Sequence, residues 1–351
     1  MQTHTQDSGF FTLRPYQRPL RSAIYNIRKI YNPHWFQGNT RRQQYFEGWY
    51  FKNVSNGGEH CWSFIPGISL VKDDAHAFVQ AINGNSGETC YFRFPASEFL
   101  FSDQGFRIQI GNNYFSDQHI ILDLDNGKDK IKGQLHFENI TPYPGQFTRP
   151  GIMGWYRYVP FMECYHGVVS FDHGIRGQLS INDVEAEFNG GRGYIEKDWG
   201  SSMPKAWIWM QTNHFDSPET SFMLSVARIP WITKTFTGFL GFFLHQGHLI
   251  HFATYTGARI TRLEHSDTEA SITIEGKKYI IHVYGEKPAS LPGAPKLKAP
   301  VLGNMDRMIH ESLNANLRVT VKEKSSDNIL FTGQGRHAGL EFVGDLKLLD
   351  L

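Results

Sequence analysis

The chain has 351 residues, of which 35 are Lys or Arg and 34 are Asp or Glu, so its formal net charge is +1. This balance excludes a general electrostatic attraction to nucleic acid or to an acidic membrane surface, and the length predicts two domains or one large one. The three cysteines, Cys61, Cys90 and Cys164, are too few and too widely spaced for a disulfide framework or a Cys-x-x-Cys zinc site.

Residues 1–44 are expected to form an N-terminal arm, with a short basic helix or an extended segment over 22–31. Residues 1–20 lack the apolar core of a signal peptide. No segment reaches the ~18 uncharged apolar residues that a membrane-spanning helix needs. The sequence therefore predicts a cytoplasmic protein.

From residue 45 onward, short runs of alternating apolar and polar residues are separated by turn residues, which is typical of β-strands. Aromatic residues make up 14% of the chain and Gly occurs 34 times, a composition that favours short strands and tight turns. We expect a first β-barrel domain over 45–150, followed by connecting hairpins and a second β-barrel domain over 151–351. One short helix is expected over 305–316.

Candidate metal and cofactor motifs are weak. His245, His248 and His251 are three residues apart, but the Gln-Gly pair within this run predicts a hairpin turn and not a metal site. The sequence has no Walker lysine loop, no dinucleotide-binding glycine motif after a strand and no nucleophile elbow. We therefore expect neither a metal nor a cofactor.

A first candidate site segment is residues 45–52, Tyr-Phe-Glu-Gly-Trp-Tyr-Phe-Lys. In a strand, Glu47 lies on the same face as the neighbouring aromatic residues at alternate positions. A buried carboxylate between rings either finds a partner or stays protonated with a raised pKa. Glu47 is therefore a candidate acid.

A second candidate segment covers residues 196–213. Glu196 and Asp198 share one face of a predicted strand, and two tryptophans share a face of the next strand with two amides. Such a set suits an apolar ligand with one polar end, and indole faces can stabilise a carbocation. Packing inside a barrel explains the same pattern, so spacing alone leaves both interpretations open. The residues of the second strand are Trp207, Trp209, Gln211 and Asn213.

Three segments carry a resemblance to a known family. Residues 194–213, Tyr-Ile-Glu-Lys-Asp-Trp-Gly-Ser-Ser-Met-Pro-Lys-Ala-Trp-Ile-Trp-Met-Gln-Thr-Asn, resemble the signature of the tocopherol cyclase family. Residues 46–51, Phe-Glu-Gly-Trp-Tyr-Phe, resemble its N-terminal motif, and residues 309–312, Ile-His-Glu-Ser, are similar to a later acidic motif. The resemblance runs in order from about residue 45 to the C-terminus.

The resemblance implies an all-β fold, with two lipocalin-like β-barrels packed side by side, few short helices and a ligand cavity. Carotenoid hydratases and some fungal pericyclases resemble the same architecture. The implied reaction needs no cofactor: an acid protonates the prenyl tail of a hydroquinone, and the phenol captures the cation to give a chromanol. The partner would be a hydrophobic prenylated small molecule, without an obligate protein partner. A carrier of a hydrophobic isoprenoid and an isoprenoid hydratase remain alternatives.

The resemblance also implies roles for single residues. Asp198, Glu47 and Glu311 are the candidate catalytic acids, and Asp198 is preferred because it lies in the longest motif and alternation sends Lys197 to the opposite face. Plant members carry Asn at the position of Asp198, which leaves open whether that position is the acid or structural. The expected substrate-binding residues are Trp49, Tyr50, Lys197, Trp199, Trp207, Trp209, Gln211 and Asn213.

A dense apolar cluster over residues 236–244 has two interpretations. It is either a core strand or a lip that makes transient contact with a membrane surface while a lipid-soluble substrate enters. The sequence leaves this choice open.

Overall fold

The computed structural model describes residues 10–13, 19–41, 43–288 and 296–351. Parts of the predicted N-terminal arm, namely residues 1–9, 14–18 and 42, lie outside these ranges. Within them the chain is predominantly β, and its one α-helix is α1, Pro19–Tyr31. No helix of these described ranges is long and apolar enough to cross a bilayer. The prediction of an all-β fold is confirmed.

Most strands of the described residues belong to two large antiparallel sheets. The 13-stranded first sheet contains β1 (Phe10–Thr12), β2 (Tyr45–Val54), β3 (Cys61–Leu70), β4 (His76–Asn83), β5 (Thr89–Pro95), β6 (Phe99–Ser102), β7 (Arg107–Ile110), β8 (Asn113–Ser116), β9 (His119–Asp125), β10 (Lys130–Glu138), β11 (Cys164–Ile181), β12 (Val184–Glu187) and β13 (Gly191–Gly200).

The second sheet begins with β14 (Trp207–Thr212), β15 (His214–Phe215), β16 (Thr220–Trp231), β17 (Lys234–His245), β18 (His248–Ala253), β19 (Arg259–His265), β20 (Glu269–Glu275) and β21 (Tyr279–Glu286). A small separate sheet follows, formed by β22 (Leu297–Val301) and β23 (Asn304–Ile309). The chain then returns to the second sheet with β24 (Glu311–Glu323) and β25 (Ile329–Val343).

The two large sheets lie side by side, and we refer to each sheet together with the apolar core that it covers as a barrel. Each barrel has its own apolar core, and a third cluster of buried residues fills the space between them. The central strand β2 is therefore buried along almost its whole length, since one face belongs to the first core and the other to the interface. Only the side chains on the interface face of β2 can therefore contact the second sheet.

The change of sheet falls between Gly200 and Trp207 and not near residue 150. Strand β11 pairs with β10, and β13 pairs with β2. The hairpins that the sequence places between the two domains are therefore part of the first sheet. The helix expected over 305–316 is wrong, because this segment forms β23 and the start of β24. Alternating burial of Leu313, Ala315 and Leu317 explains the strand. A division into two separately folding domains stays a prediction.

The apolar cluster over 236–244 lies mainly in the core. Phe239 and Phe243 belong to the core of the second barrel, and Phe242 and Leu244 belong to the interface cluster. Their burial supports the core interpretation over the membrane lip.

Candidate active site

A cavity of about 180 Å³ lies between the two barrels. Strands β2, β11 and β13 of the first sheet face β14, β16, β24 and β25 of the second across it. Its walls are mainly apolar and include Met153, Met162, Ile229 and Leu240. Such a pocket suits an apolar ligand, with a small number of polar groups to orient it.

Strand alternation determines which side chains form the first wall of the cavity. On β2, Phe46, Gly48 and Tyr50 point towards the cavity, and on β13 the same face carries Glu196 and Asp198. These residues are neighbours because β2 and β13 pair with Glu196 opposite Tyr50 and Asp198 opposite Gly48. The predicted common face of Glu196 and Asp198 is thus a wall of the cavity.

The opposite wall contains a row of directly paired residues. Glu311 on β24 lies opposite Glu341 on β25, and Glu341 lies opposite Trp209 on β14. The neighbouring Gly339 makes room for the indole, since a Cβ there would lie 2.4 Å from a ring carbon of Trp209. The second sheet therefore places two carboxyl groups beside an indole ring.

The carboxyl groups of Glu311 and Glu341 are held by donors from both barrels. The Tyr50 hydroxyl donates to Glu311 Oε1 at 2.6 Å, and Trp207 Nε1 donates to Glu341 Oε2 at 2.5 Å. Burial, and then the charge of Glu341, raise the pKa of Glu311 well above its usual value. Burial raises the pKa of Glu341 to about 7, against the opposing effect of the Trp207 N–H. The pKa of Glu311 is thus shifted in the direction that favours a protonated carboxyl group.

A second polar group of the cavity is an imidazole between two carboxylates. His166 Nδ1 lies 2.9 Å from Asp198 Oδ1, and its Nε2 lies 3.4 Å from Glu196 Oε2. Burial disfavours the charged imidazole, but the carboxylates of Glu196 and Asp198 outweigh it and raise the pKa of His166 to about 10. A cationic imidazole therefore neutralises part of this acidic wall.

The same three residues are the candidates for a metal site in the described part of the chain. The ligand atoms of His166, Glu196 and Asp198 lie within 4.8 Å of one another. In the structure this geometry is also that of an ion pair, because Asp198 already has His166 as its partner. His245 and His251 form no such group there. They contact Thr220 Oγ1 at 2.8 Å and the Tyr255 hydroxyl at 3.1 Å instead.

Glu47 does not reach the cavity. It is fully buried in the first barrel and forms an ion pair with Lys197. The backbone N–H groups of Gln37 and Gly38 also donate to its carboxylate, at 2.9 to 3.0 Å. This corrects the expectation that Glu47 is a catalytic acid, because its carboxylate is bound by Lys197 in the barrel core and does not line the cavity.

Five of the expected substrate-binding residues also lie elsewhere. Trp49 and Trp199 belong to the core of the first barrel, where their rings sandwich the Lys197 ammonium at 4.6 and 4.7 Å from the ring centroids. Gln211 Oε1 accepts a hydrogen bond from Lys52 Nζ at 2.8 Å, and Asn213 Nδ2 donates to Asp172 Oδ1 at 2.7 Å. Tyr50, Trp207 and Trp209 do line the cavity, together with Asp198 and Glu311.

Sequence reasoning missed two groups of the site. Glu341 lies in an ordinary strand segment, Gly-Leu-Glu-Phe-Val, and His166 lies between Tyr165 and Gly167 on β11. The signal that could have found Glu341 is its place on the alternating face of a strand otherwise rich in apolar residues. The sequence around His166 has no such signal, because its interaction partners Glu196 and Asp198 lie on the neighbouring strand β13.

The structure thus combines an all-β fold with a mainly apolar cavity between the two large sheets, lined by the carboxyl groups of Glu311 and Glu341. The sequence profile of the family described as tocopherol cyclase-like matches residues 97–344. The chain belongs to this family. Membership supports a function of the cyclase or isomerase kind, and the matched range includes His166, Asp198, Glu311 and Glu341.

Individual relatives are distant. A probable chloroplastic tocopherol cyclase of Oryza sativa subsp. japonica is 24% identical over 255 residues, which cover 57% of this chain and 53% of that protein. The chain thus matches about half the length of this curated relative. The crystal structure of CghA is similar with a TM-score of 0.48 and 9% identity, over 86% of this chain and 89% of that one. A putative AttH from Nitrosomonas europaea has a TM-score of 0.47 and 11% identity, over 87% and 93% of the chains.

Proposed function

We propose that this protein is a cofactor-free cyclase that closes a prenylated hydroquinone to a chromanol, with Glu311 as the proton donor. The observation that carries the proposal is a carboxyl group with a raised pKa in a mainly apolar cavity, on the strand face that also carries Trp209. Protonation of an alkene at neutral pH needs an acid that still holds its proton there. Burial and the neighbouring Glu341 raise the pKa of Glu311, which is the direction that this requirement demands.

The proposed reaction is an isomerisation. Glu311 gives its proton to the trisubstituted alkene, so that a C–H bond forms and the positive charge moves to the tertiary carbon. The phenolic oxygen forms the C–O bond to this carbon and loses its proton, which returns to the Glu311 carboxylate. The Tyr50 hydroxyl, which donates to Glu311, stabilises the carboxylate between the two proton transfers.

Asp198 is the weaker candidate for this role. Its carboxylate has His166 as an ion-pair partner, and its side chain keeps 28% of its surface exposed. The Asp198, His166 and Glu196 group is better suited to orient the polar ring of the substrate.

Trp209 is the aromatic residue best placed to stabilise the cation. Its Nε1 has no hydrogen-bond partner in the structure, so the N–H is also available to a substrate oxygen. Trp207, by contrast, donates its N–H to Glu341 and has the guanidinium of Arg307 at 5.7 Å from its ring centroid.

Replacing Trp209 by Phe should slow turnover about fivefold and change ligand affinity little. A phenyl ring fills most of the space but gives a weaker cation–π interaction, a difference of roughly 1 kcal/mol in a desolvated site. The measurement is kcat together with the dissociation constant of the unreacted substrate. Equal losses in rate and affinity would instead assign Trp209 to uniform binding of substrate and transition state.

The pH dependence of the proposed activity follows from the interaction between Glu311 and Glu341. Activity should persist at neutral pH and fall on the alkaline side, where Glu311 loses its proton. Replacing Glu341 by Gln removes a negative neighbour, which lowers the pKa of Glu311 and moves this decline to lower pH. The measurement is the pH profile of kcat/KM for both proteins. An unchanged alkaline midpoint would show that the two carboxyl groups are not coupled.

The direct test of the function is incubation with a prenylated hydroquinone and mass spectrometry of the products. A cyclase gives a product of unchanged mass that has lost the alkene, and in D₂O one deuterium appears on the former alkene carbon. A product heavier by one water would identify a hydratase. Tight binding without conversion would identify a carrier.

A further inference from the structure

The outward face of helix α1 is apolar, the reverse of what an ordinary surface helix shows. Leu20, Ile24, Ile27 and Tyr31 recur at helical spacing and are exposed, with Leu20 at 75% and Ile27 at 63%. The helix is anchored through its other side, where Tyr25 is buried and its hydroxyl donates to the Phe36 carbonyl at 2.6 Å. The apolar face is therefore held in a fixed orientation.

Exposed aromatic side chains extend this face beyond the helix. Tyr31 stacks on Phe147 at 5.5 Å, and the Tyr158 hydroxyl donates to the Phe147 carbonyl at 2.5 Å. Trp155 and Phe161 follow in the same segment, and both contact the ring of Trp231, at 6.2 and 5.4 Å between centroids. We call the outward face of α1 together with these exposed rings the α1 patch. Isolated exposed apolar residues need no explanation, whereas a contiguous set of this kind marks an interaction surface.

The charge of the N-terminal segment indicates the partner. Between Ser8 and Phe46 the sequence has no Asp or Glu, although the chain as a whole is almost neutral. The basic residues of this segment are Arg14, Arg18, Arg21, Arg28, Lys29, Arg41 and Arg42. Arg21 forms an ion pair with Asp103, and Lys29 Nζ donates to the Gln37 carbonyl at 2.8 Å, so the excess positive charge comes from the other five. The net charge of the whole chain excludes a general attraction to acidic membranes, but it does not reflect this local excess of positive charge. An exposed apolar helix face in a basic segment is typical of a helix that lies in the interface of an anionic bilayer.

The α1 patch is also continuous with the cavity. Met153 and Met162 line the cavity, and they bracket the segment that exposes Trp155 and Tyr158. Ile229, two residues before Trp231, lines the cavity as well. A surface that rests on lipid at this place would bring residues 153–162, which begin and end with a cavity-lining methionine, close to the membrane.

We propose that the α1 patch docks this protein on an anionic phospholipid surface, with α1 parallel to the membrane. The proposal does not rest on the proposed reaction, because docking is measured without substrate. It places the membrane contact at the α1 patch and not at Phe239, Phe242 and Phe243, which are buried.

The test is flotation of the protein with vesicles of phosphatidylcholine and phosphatidylglycerol, and with vesicles of phosphatidylcholine alone. The variant with both Ile24→Glu and Ile27→Glu changes only exposed positions, so the fold should persist. Ile329→Glu is the matched control, since Ile329 is 60% exposed on β25 of the second sheet. Quenching of tryptophan fluorescence by brominated lipid gives a second readout through Trp155.

We expect binding to the anionic vesicles that weakens with added salt, falls at least about tenfold in the double variant and is unchanged in the control. The quenching of tryptophan fluorescence should increase in parallel with the fraction of protein bound to vesicles. The proposal is overturned if the wild-type protein does not float with anionic vesicles, or if the double variant binds as well as the wild type. It is also overturned if the wild type forms a dimer that the double variant loses, because the patch is then an interface between two copies.

Discussion

Replacing Glu311 by Gln is expected to lower the turnover of a prenylated hydroquinone by about 10²- to 10⁴-fold, the usual contribution of general acid catalysis. Gln has nearly the same size and can still accept the hydrogen bond from Tyr50, but it has no acidic proton to give. Substrate binding and the thermal unfolding midpoint should stay close to those of the wild type. The measurement is the steady-state rate of product formation, followed by chromatography.

Asp198→Asn is the matched comparison, because it makes the same chemical change on the opposite wall of the cavity. We expect a smaller loss of rate, since Asp198 is the ion-pair partner of His166. A folded Glu311→Gln protein with wild-type turnover would exclude Glu311 as the acid. A larger loss in Asp198→Asn than in Glu311→Gln would give the role to Asp198.

Strand alternation could be predicted from the sequence, and it gave the correct faces. Glu196 and Asp198 share the cavity face of β13, and Lys197 points to the opposite side, as expected. The reason is that the two-residue period of a strand is a local property of the backbone. Local rules therefore recovered the composition of each face.

The surroundings of each face could not be predicted in the same way. Strand β2 carries aromatic residues on both faces and is buried on both, so its sequence does not distinguish the barrel core from the cavity. As a result Glu47 and Trp49 were expected in the site, although they face the core, where Lys197 neutralises Glu47. Tyr50, one residue further on, is the side chain of this segment that reaches Glu311.

The proton donor depends on contacts that are distant in the chain. Tyr50 and Glu311 are 261 residues apart, and Glu311 meets Glu341 only because β24 and β25 are adjacent. The raised pKa of Glu311 is a consequence of this meeting and of burial between the barrels. A short motif could mark Glu311 as a candidate, but only the assembled sheets distinguish it from Asp198.

The second large effect is expected in the first barrel, where Glu47 and Lys197 form a fully buried ion pair. Replacing Lys197 by Met leaves the Glu47 carboxylate buried without its cation. It also removes the hydrogen bond from Lys197 Nζ to the Pro33 carbonyl, which is 2.8 Å long. We expect the free energy of unfolding to fall by about 3–5 kcal/mol, the usual result of breaking a buried pair. The measurement is equilibrium unfolding in urea.

The exposed pair of Lys324 and Glu275, with 3.0 Å between Nζ and Oε2, provides the control. Lys324→Met should cost less than about 1 kcal/mol, because solvent screens an exposed pair. Combining Lys197→Met with Glu47→Gln should recover part of the loss, since no uncompensated charge then remains in the core. A loss in Lys197→Met as small as that in Lys324→Met would contradict the burial of this pair. It would also reopen the assignment of Glu47 to the barrel core, on which its exclusion as the catalytic acid depends.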